Sequence, residues 1–269
     1  MKPIKGYKIQ FENYSTLIYR IAPKLSFLQR NQEVTSIKQN FDVFPESWFL
    51  FLSNMPVGQV SVVIKGREIF LVPPKAIFLP PYSLIRWKQY PGECKWFAIR
   101  GETKLPDQLM VSDPFVFSWD LNLELKSLEQ ILDVVKKGKD NSENLPAELN
   151  KSDIAKIFKK EIDQGFESNI KIRNICKKFH LSLASVSHSF KSCYGVSPKE
   201  YQNRLQLNQA LRKITFENKN LTEACFESGF EEYSNFYRQL KKWLKTGPSQ
   251  VLFTKNNELS DSDINLKLT

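Results

Sequence analysis

Only two histidines occur in 269 residues, His180 and His188. A catalytic centre built on imidazole ligands needs two or three of them at one ion, so a His-ligated metal enzyme is not expected. The four cysteines, Cys94, Cys176, Cys193 and Cys225, show no CxxC or other paired spacing. That argues against a zinc site or disulfide frame and for free thiols in a reducing compartment. The glycines are few, and no glycine-rich phosphate loop follows a strand. No Ser or Cys sits in an activating motif of the kind nucleophilic catalysis requires. No run approaches the ~18 apolar residues of a membrane helix, and the opening stretch MKPIKGYKIQFENYS has no apolar core of a secretory leader. The expectation is a cytoplasmic protein with no membrane partner, no metal, no cofactor and no catalytic residue.

What is abundant is positive charge, and it is unevenly placed. The formal charge is +10. Residues 1–150 carry 19 Lys/Arg against 16 Asp/Glu, and residues 151–269 carry 20 against 13. A basic excess in one half suits a polyanion, with nucleic acid first among such partners. The length fits two domains better than one.

The first hundred residues read as short β-rich runs, TLIYRI, SWFLFLS, QVSVVIKG, EIFLVP, AIFLP and KWFAIR, broken by Pro, Gly and Asn. They predict a small barrel or sandwich over residues 1–120. The period then changes. Leu121, Leu125, Leu128, Leu132 and Val135 step by four and three, the seam of a helix that pairs either within its own domain or across a dimer. GKDNSENLPAELN, residues 138–150, has linker composition, so 121–150 is expected to hold a dimerisation helix and a linker. Residues 151–253 read as almost wholly helical, and 254–269 as a flexible tail. The fold class expected is therefore α+β in two domains.

The helical half contains a repeat. FKSCYGVSP (Phe190 to Pro198) and LKKWLKTGP (Leu240 to Pro248) share one pattern, and each follows a helix with one polar face. In GFEEYSNFYRQLKK, residues 229–242, Phe236 and Leu240 fall on one side with Trp243 and Leu244. Ser234, Arg238, Lys241 and Lys242 gather opposite, with Tyr233 and Tyr237 on the flank. Gly229 would let the chain turn and Phe230 would anchor the turn. In LSLASVSHSFKS, Ser182 is the expected N-cap, and Leu183, Val186, Phe190 and Cys193 form an apolar stripe. Ala184, Ser187, His188 and Lys191 face away. A short helix precedes each, IRNICKKF and LTEACFES, so the unit is helix, tight turn, helix, twice. SPKEYQNRLQLNQALRKI supplies a connecting helix with Ser197 as cap and Pro198 in the first turn. At ~1.5 Å per residue its eighteen residues span about 27 Å, near the ~34 Å that separates successive major-groove faces of DNA.

These segments resemble the AraC/XylS type of bacterial transcription regulator. The resemblance covers roughly Asp153 to Val251 and is carried by GVSPKEY at 195–201 and GFEEYSNFYRQLKK at 229–242. It implies a two-lobed helical domain that binds adjacent major grooves of promoter DNA, attached to a regulatory or dimerising domain, in a regulator that is commonly an activator acting with RNA polymerase. By the motif, the DNA-facing residues are Ala184, Ser185, Ser187 and His188 in the first reading helix and Tyr233, Ser234, Tyr237 and Arg238 in the second. Lys191, Lys241 and Lys242 are expected on phosphates and Arg238 on a guanine edge. Gln206 stands where the family commonly has Arg, and Cys176 and Cys225 stand where it has Ala.

More loosely, VPPKAIFLPPYSLIRW, residues 72–87, resembles a strand and turn of the cupin-like sensor barrels found in that family. Pro74-Lys75 and Ile85 replace the Gly-Asp and His of such barrels, which disfavours a cupin-type enzyme as the rival reading. An effector site is expected from Trp48, Phe78, Tyr82 and Trp87, with Lys75 or Arg86 to hold a carboxylate. The alternative is an effector-independent regulator whose barrel serves only to form a homodimer.

Overall fold

The computed structural model describes residues 5–10, 14–53, 59–64, 67–72, 74–109, 113–119, 127–142, 153–244 and 252–254. The chain divides into two compact units, one holding the β-strands and the first α-helix, the other holding the remaining six helices with the short segment Val43–Pro45.

The first unit contains two sheets. One has eight strands in the order β11-β8-β5-β10-β3-β2-β1-β12, where β1 is Lys5–Gln10, β2 Tyr14–Ala22, β3 Leu25–Val34, β5 Trp48–Ser53, β8 Lys75–Leu79, β10 Gly92–Gly101, β11 Phe115–Ser118 and β12 Leu252–Thr254. The other has four, β4-β9-β6-β7, with β4 Lys38–Val43, β6 Val60–Ile64, β7 Arg67–Phe70 and β9 Leu84–Gln89.

The run WFLFLS forms β5, in the middle of the large sheet, and Trp48 to Leu52 are buried without alternation. Both faces are covered, which explains the continuous apolar run. On one face Trp48, Leu50 and Leu52 join Phe78, Phe97, Ile99 and Phe117 in a core closed by α1 (Leu128–Asp140) through Ile131 and Val135. On the other, Phe51 meets the small sheet at Trp87, ring centroids 4.9 Å apart. Gly101 is required by this packing, since a Cβ there would lie 2.0 Å from the Trp48 ring.

Three expectations change. Residues Gly138–Asp140 are helical rather than linker, because Gly138 lies against Phe117, where a Cβ would stand 2.3 Å from the ring. Val135 is fully buried in its own unit, with Leu128 and Leu132 partly buried against the same core. Of the two pairings open to the seam, these three residues pack within their own unit, Leu128 and Leu132 only in part, while Leu121 and Leu125 lie outside the described residues. Leu252–Thr254 is a strand, not the end of a helix or the start of a tail. It pairs antiparallel with β1 and occupies what would otherwise be an open sheet edge. Residues 255–269 lie outside the described residues.

The second unit holds α2 (Asp153–Gly165), α3 (Ile172–Lys178), α4 (Leu183–Tyr194), α5 (Pro198–Phe216), α6 (Leu221–Glu227) and α7 (Tyr233–Leu244). The long α5 touches α2, α4, α6 and α7. Its start is fixed as expected. The Ser197 hydroxyl accepts from the Glu200 N–H, the Glu200 carboxylate accepts from the Ser197 N–H, and Pro198 occupies the first turn.

Candidate nucleic-acid interface

The two helix-turn-helix units superimpose in sequence through their turns. After α3, His180 N–H donates to the Lys177 carbonyl and Leu181 N–H to that of Cys176. After α6, Gly229 N–H donates to Phe226 and Phe230 N–H to Cys225. His180 and Gly229 are the left-handed residues of the two turns, at φ 54° and 87°. Cys176 thus corresponds to Cys225, a spacing of 49. The second turn is one residue longer, so α4 and α7 then run in register at a spacing of 50: Val186 with Phe236, Phe190 with Leu240, His188 with Arg238, Lys191 with Lys241.

The shared positions are the anchors. Val186, Phe190, Phe236 and Leu240 are essentially inaccessible. Phe190 packs against Tyr194 and Tyr201, and Phe236 against Phe230 and Tyr233. Tyr201 donates its hydroxyl to Asp163 at 2.6 Å, and Lys159 reaches the other carboxylate oxygen at 2.6 Å. Burial pushes the Asp163 pKa upward against both partners. Cys225 is fully buried in α6, and that burial raises its thiol to about 11, which suits a small core residue rather than a nucleophile.

The lobes are tied together on the surface by the Lys171–Glu231 ion pair at 3.1 Å and in the interior by Gln206. Gln206, buried in α5, donates from its single Nε2 to the Phe166 carbonyl at 3.1 Å and to the Gly229 carbonyl at 2.6 Å. It thereby joins the end of α2 to the second turn. At Gly229 the backbones approach so closely that a Cβ would lie 2.2 Å from the Phe166 oxygen. The neutral Gln206 amide supplies the bridge without a charge.

The expected DNA-facing residues lie where the helical period puts them. Ala184, Ser185, His188 and Lys191 are exposed on α4, with Ser187 half-buried. Tyr233, Ser234, Arg238, Lys241 and Lys242 are exposed on α7, with Tyr237 half-buried. Arg238 is held by Asn235 Oδ1 at 3.0 Å, and Tyr237 lies beside Tyr233 with centroids 6.3 Å apart. Each face thus combines short polar or aromatic groups with lysines at its margin. His188 sits on this face, while His180 serves the turn.

One member of the apolar stripe departs from expectation. Leu183 is 44% exposed. It shares the azimuth of Phe190 but lies seven residues before it, about 10 Å along the axis, beyond the packed anchors.

The expected effector residues are not brought together. Trp48 and Phe78 are inaccessible and lie 5.9 Å apart in the core beneath α1. Trp87 lies on the opposite side of the large sheet, against Phe51. Strand alternation also separates Arg86 from Trp87, since Arg86 pairs with Val63 and Trp87 with Val62. Tyr82 is half-buried in a turn at φ 61°, and Lys75 is half-buried at the start of β8. A different group does converge between the sheets. Phe51 meets Trp96 at 5.3 Å as well as Trp87, and the Arg30 guanidinium lies 5.0 Å over Trp96, with its Nε donating to Thr16 Oγ1 at 2.9 Å. Alternation within KWFAIR, referred to Phe51, was the signal that could have found Trp96. Among the described residues no group of three His, Cys, Asp or Glu could hold a metal ion, and no helix is long and apolar enough to cross a membrane.

Residues 175–252 match the family model of a helix-turn-helix domain. The HTH-type transcriptional activator RhaS of Mannheimia succiniciproducens is 26% identical over 90 residues, 34% of this chain and 34% of that protein. The transcriptional regulatory protein HptR of Staphylococcus aureus is 26% identical over 89 residues, 33% of this chain and 35% of that one. The chain thus spans about a third of the length of these curated relatives. The crystal structure of ToxT from Vibrio cholerae O395 superimposes with a TM-score of 0.51 at 14% identity, over 86% of this chain and 99% of that one. That likeness shows a common fold.

Proposed function

We propose, on the premise that the helical unit is a double helix-turn-helix domain of the AraC/XylS type, that this chain is a transcription regulator reading two adjacent major grooves of double-stranded promoter DNA. The observation that carries the reading is the fifty-residue register of α4 and α7, with equivalent buried anchors and equivalent exposed faces rimmed by Lys191, Lys241 and Lys242. Two reading helices on a connector of about 28 Å suit one face of a duplex. Arg238 is the guanidinium on that surface able to make a bidentate contact to guanine O6 and N7, and the lysines neutralise phosphate. The protein acts in the cytoplasm as an activator that works with RNA polymerase, not as an enzyme.

The β unit controls this activity by binding an effector or by forming a homodimer. Support for the effector comes from the half-buried rings of Trp87 and Trp96 beside the buried Phe51, with the Arg30 guanidinium over Trp96, a combination of aromatic surface and cation that suits a small amphipathic anion.

Selection of duplexes from a random-sequence pool by the full chain at physiological salt tests the reading. Two short boxes about one helical turn apart are the expected product. Uniform retention that salt abolishes, with no motif, would overturn it.

A further inference from the structure

The two reading helices differ in chemistry at their first two turns. On α7 these turns offer Tyr233, Ser234, Tyr237 and Arg238, and on α4 they offer Leu183, Ala184, Ser185, Ser187 and His188. Nothing in the α4 set is a guanidinium, an ammonium or a carboxamide, so no bidentate base contact is available there. Ser182 already uses its hydroxyl oxygen to accept the Ser185 N–H at 3.1 Å. The large group left on this tip is hydrocarbon. Leu183 is 44% exposed, and its equivalent at the spacing of 50, Tyr233, is 36% exposed. Both helices thus present an exposed large side chain at their first position, although Phe190 and Leu240 behind them are buried. One turn on from Leu183, and about 40° around the helix, lies Ser187 on the reading face. In the major groove the exposed hydrocarbon of a base edge is the C5-methyl of thymine, and apolar side chains recognise it by contact.

We infer that α4 reads thymine methyls, with Leu183 as the principal contact and Ala184 beside it, so that the box beneath α4 is specified by thymine. The inference rests on the regulator reading and adds the chemistry of one of its two boxes. It also gives Leu183 a role in the bound state, since its hydrocarbon leaves water when the methyl covers it.

The test uses the full chain and the duplex recovered from the random pool, with binding followed by fluorescence anisotropy. The Arg238→Ala variant identifies the α7 box, where base preference flattens, and so assigns the other box to α4. Each thymine of the α4 box is then replaced singly by deoxyuridine, which removes the methyl and leaves base pairing intact. Affinity is expected to fall about fourfold at a contacted position, the effect of losing one buried methyl. Leu183→Ala should lose that sensitivity, Leu183→Met should keep part of it, and deoxyuridine in the α7 box should affect wild type and Leu183→Ala equally. Equal affinity for every deoxyuridine duplex would overturn the inference, as would Leu183→Ala retaining the full fourfold loss. In either case binding to the unmodified two-box duplex would leave the regulator reading standing. Recovery of no preferred duplex would overturn both.

Discussion

Helices α4 and α7 occupy equivalent places in two copies of one motif, yet they have diverged on opposite sides of the same constraint. Their buried residues are alike in kind, Val186 and Phe190 against Phe236 and Leu240. Their exposed residues are not: Leu183, Ala184, Ser185 and His188 in the first two turns of α4, against Tyr233, Ser234 and Arg238 on α7. Packing density holds the inner face to large apolar groups, while the outer face answers to whatever it meets. Under the proposed reading, divergence on the outer face is what two reading helices for two different boxes would require. The turns repeat the lesson. Both hold a left-handed residue, and at the second, where the Phe166 and Glu167 carbonyls lie against it, that residue is glycine.

The sharpest way to break the equivalence of the turns is Gly229→Ala. The added Cβ meets the Phe166 and Glu167 carbonyls at a positive φ, so thermal or urea unfolding should show a loss of about 2–4 kcal/mol. Next in size is the contrast between the reading faces. Arg238→Ala should cost about 1–3 kcal/mol at one base position and flatten preference there. His188→Ala, at the matching place on α4, should cost less, and equal losses on every sequence would mark Arg238 as a phosphate contact instead.

A smaller effect separates the cap of α5 from the α2–α5 core by pH. Hydrogen bonds from the Ser197 N–H and hydroxyl hold the Glu200 pKa below its ordinary value. The stabilisation it gives is therefore present above the ordinary carboxylate pKa of about 4.3 and is lost as pH falls through the lowered folded value. Ser197→Ala should cost about 1 kcal/mol at pH 7. The difference in melting temperature between wild type and Glu200→Gln should close in acid. Asp163, raised by burial, has the opposite sign: its contribution is full below the ordinary value and declines as pH rises through the folded one. Comparing each variant with wild type at the same pH cancels that background. The smallest effect expected is a gain. His180→Gly relieves a left-handed non-glycine residue and should stabilise by up to about 1 kcal/mol, the reverse in sign of Gly229→Ala.

Much of the helical unit was legible in the chain because its signals are local. Ser197 and Pro198 start α5, Gly229 turns the chain, and the 3.6-residue period separates Phe236 and Leu240 from Arg238 and Lys241. The β unit was legible only as a class. Strands β1, β3, β4, β9 and β11 were not individually marked, since LSFLQRNQEV and KQNFDV mix polar and apolar residues without clear alternation. The expected effector set failed for a related reason. Trp48, Phe78 and Trp87 are all aromatic and all in strands, but which face each takes depends on register, and a shift of one residue reverses the answer.

What the amino-acid sequence by itself determined is the repeat of helix, turn and helix, the polarity of α4 and α7, and the excess of positive charge beside them. Those properties follow from residue type and a spacing of three or four, which a helix turns directly into a face. What only the tertiary structure decided is where faces end. Leu183 belongs to the apolar stripe by angle yet stands beyond the packed anchors. Val135 belongs to a seam that its own β-sheet already covers. Gln206 is polar in the middle of a buried helix because two carbonyls from distant segments, Phe166 and Gly229, converge on it. Burial and hydrogen-bond partnership depend on segments far apart in the chain, and no local period encodes them.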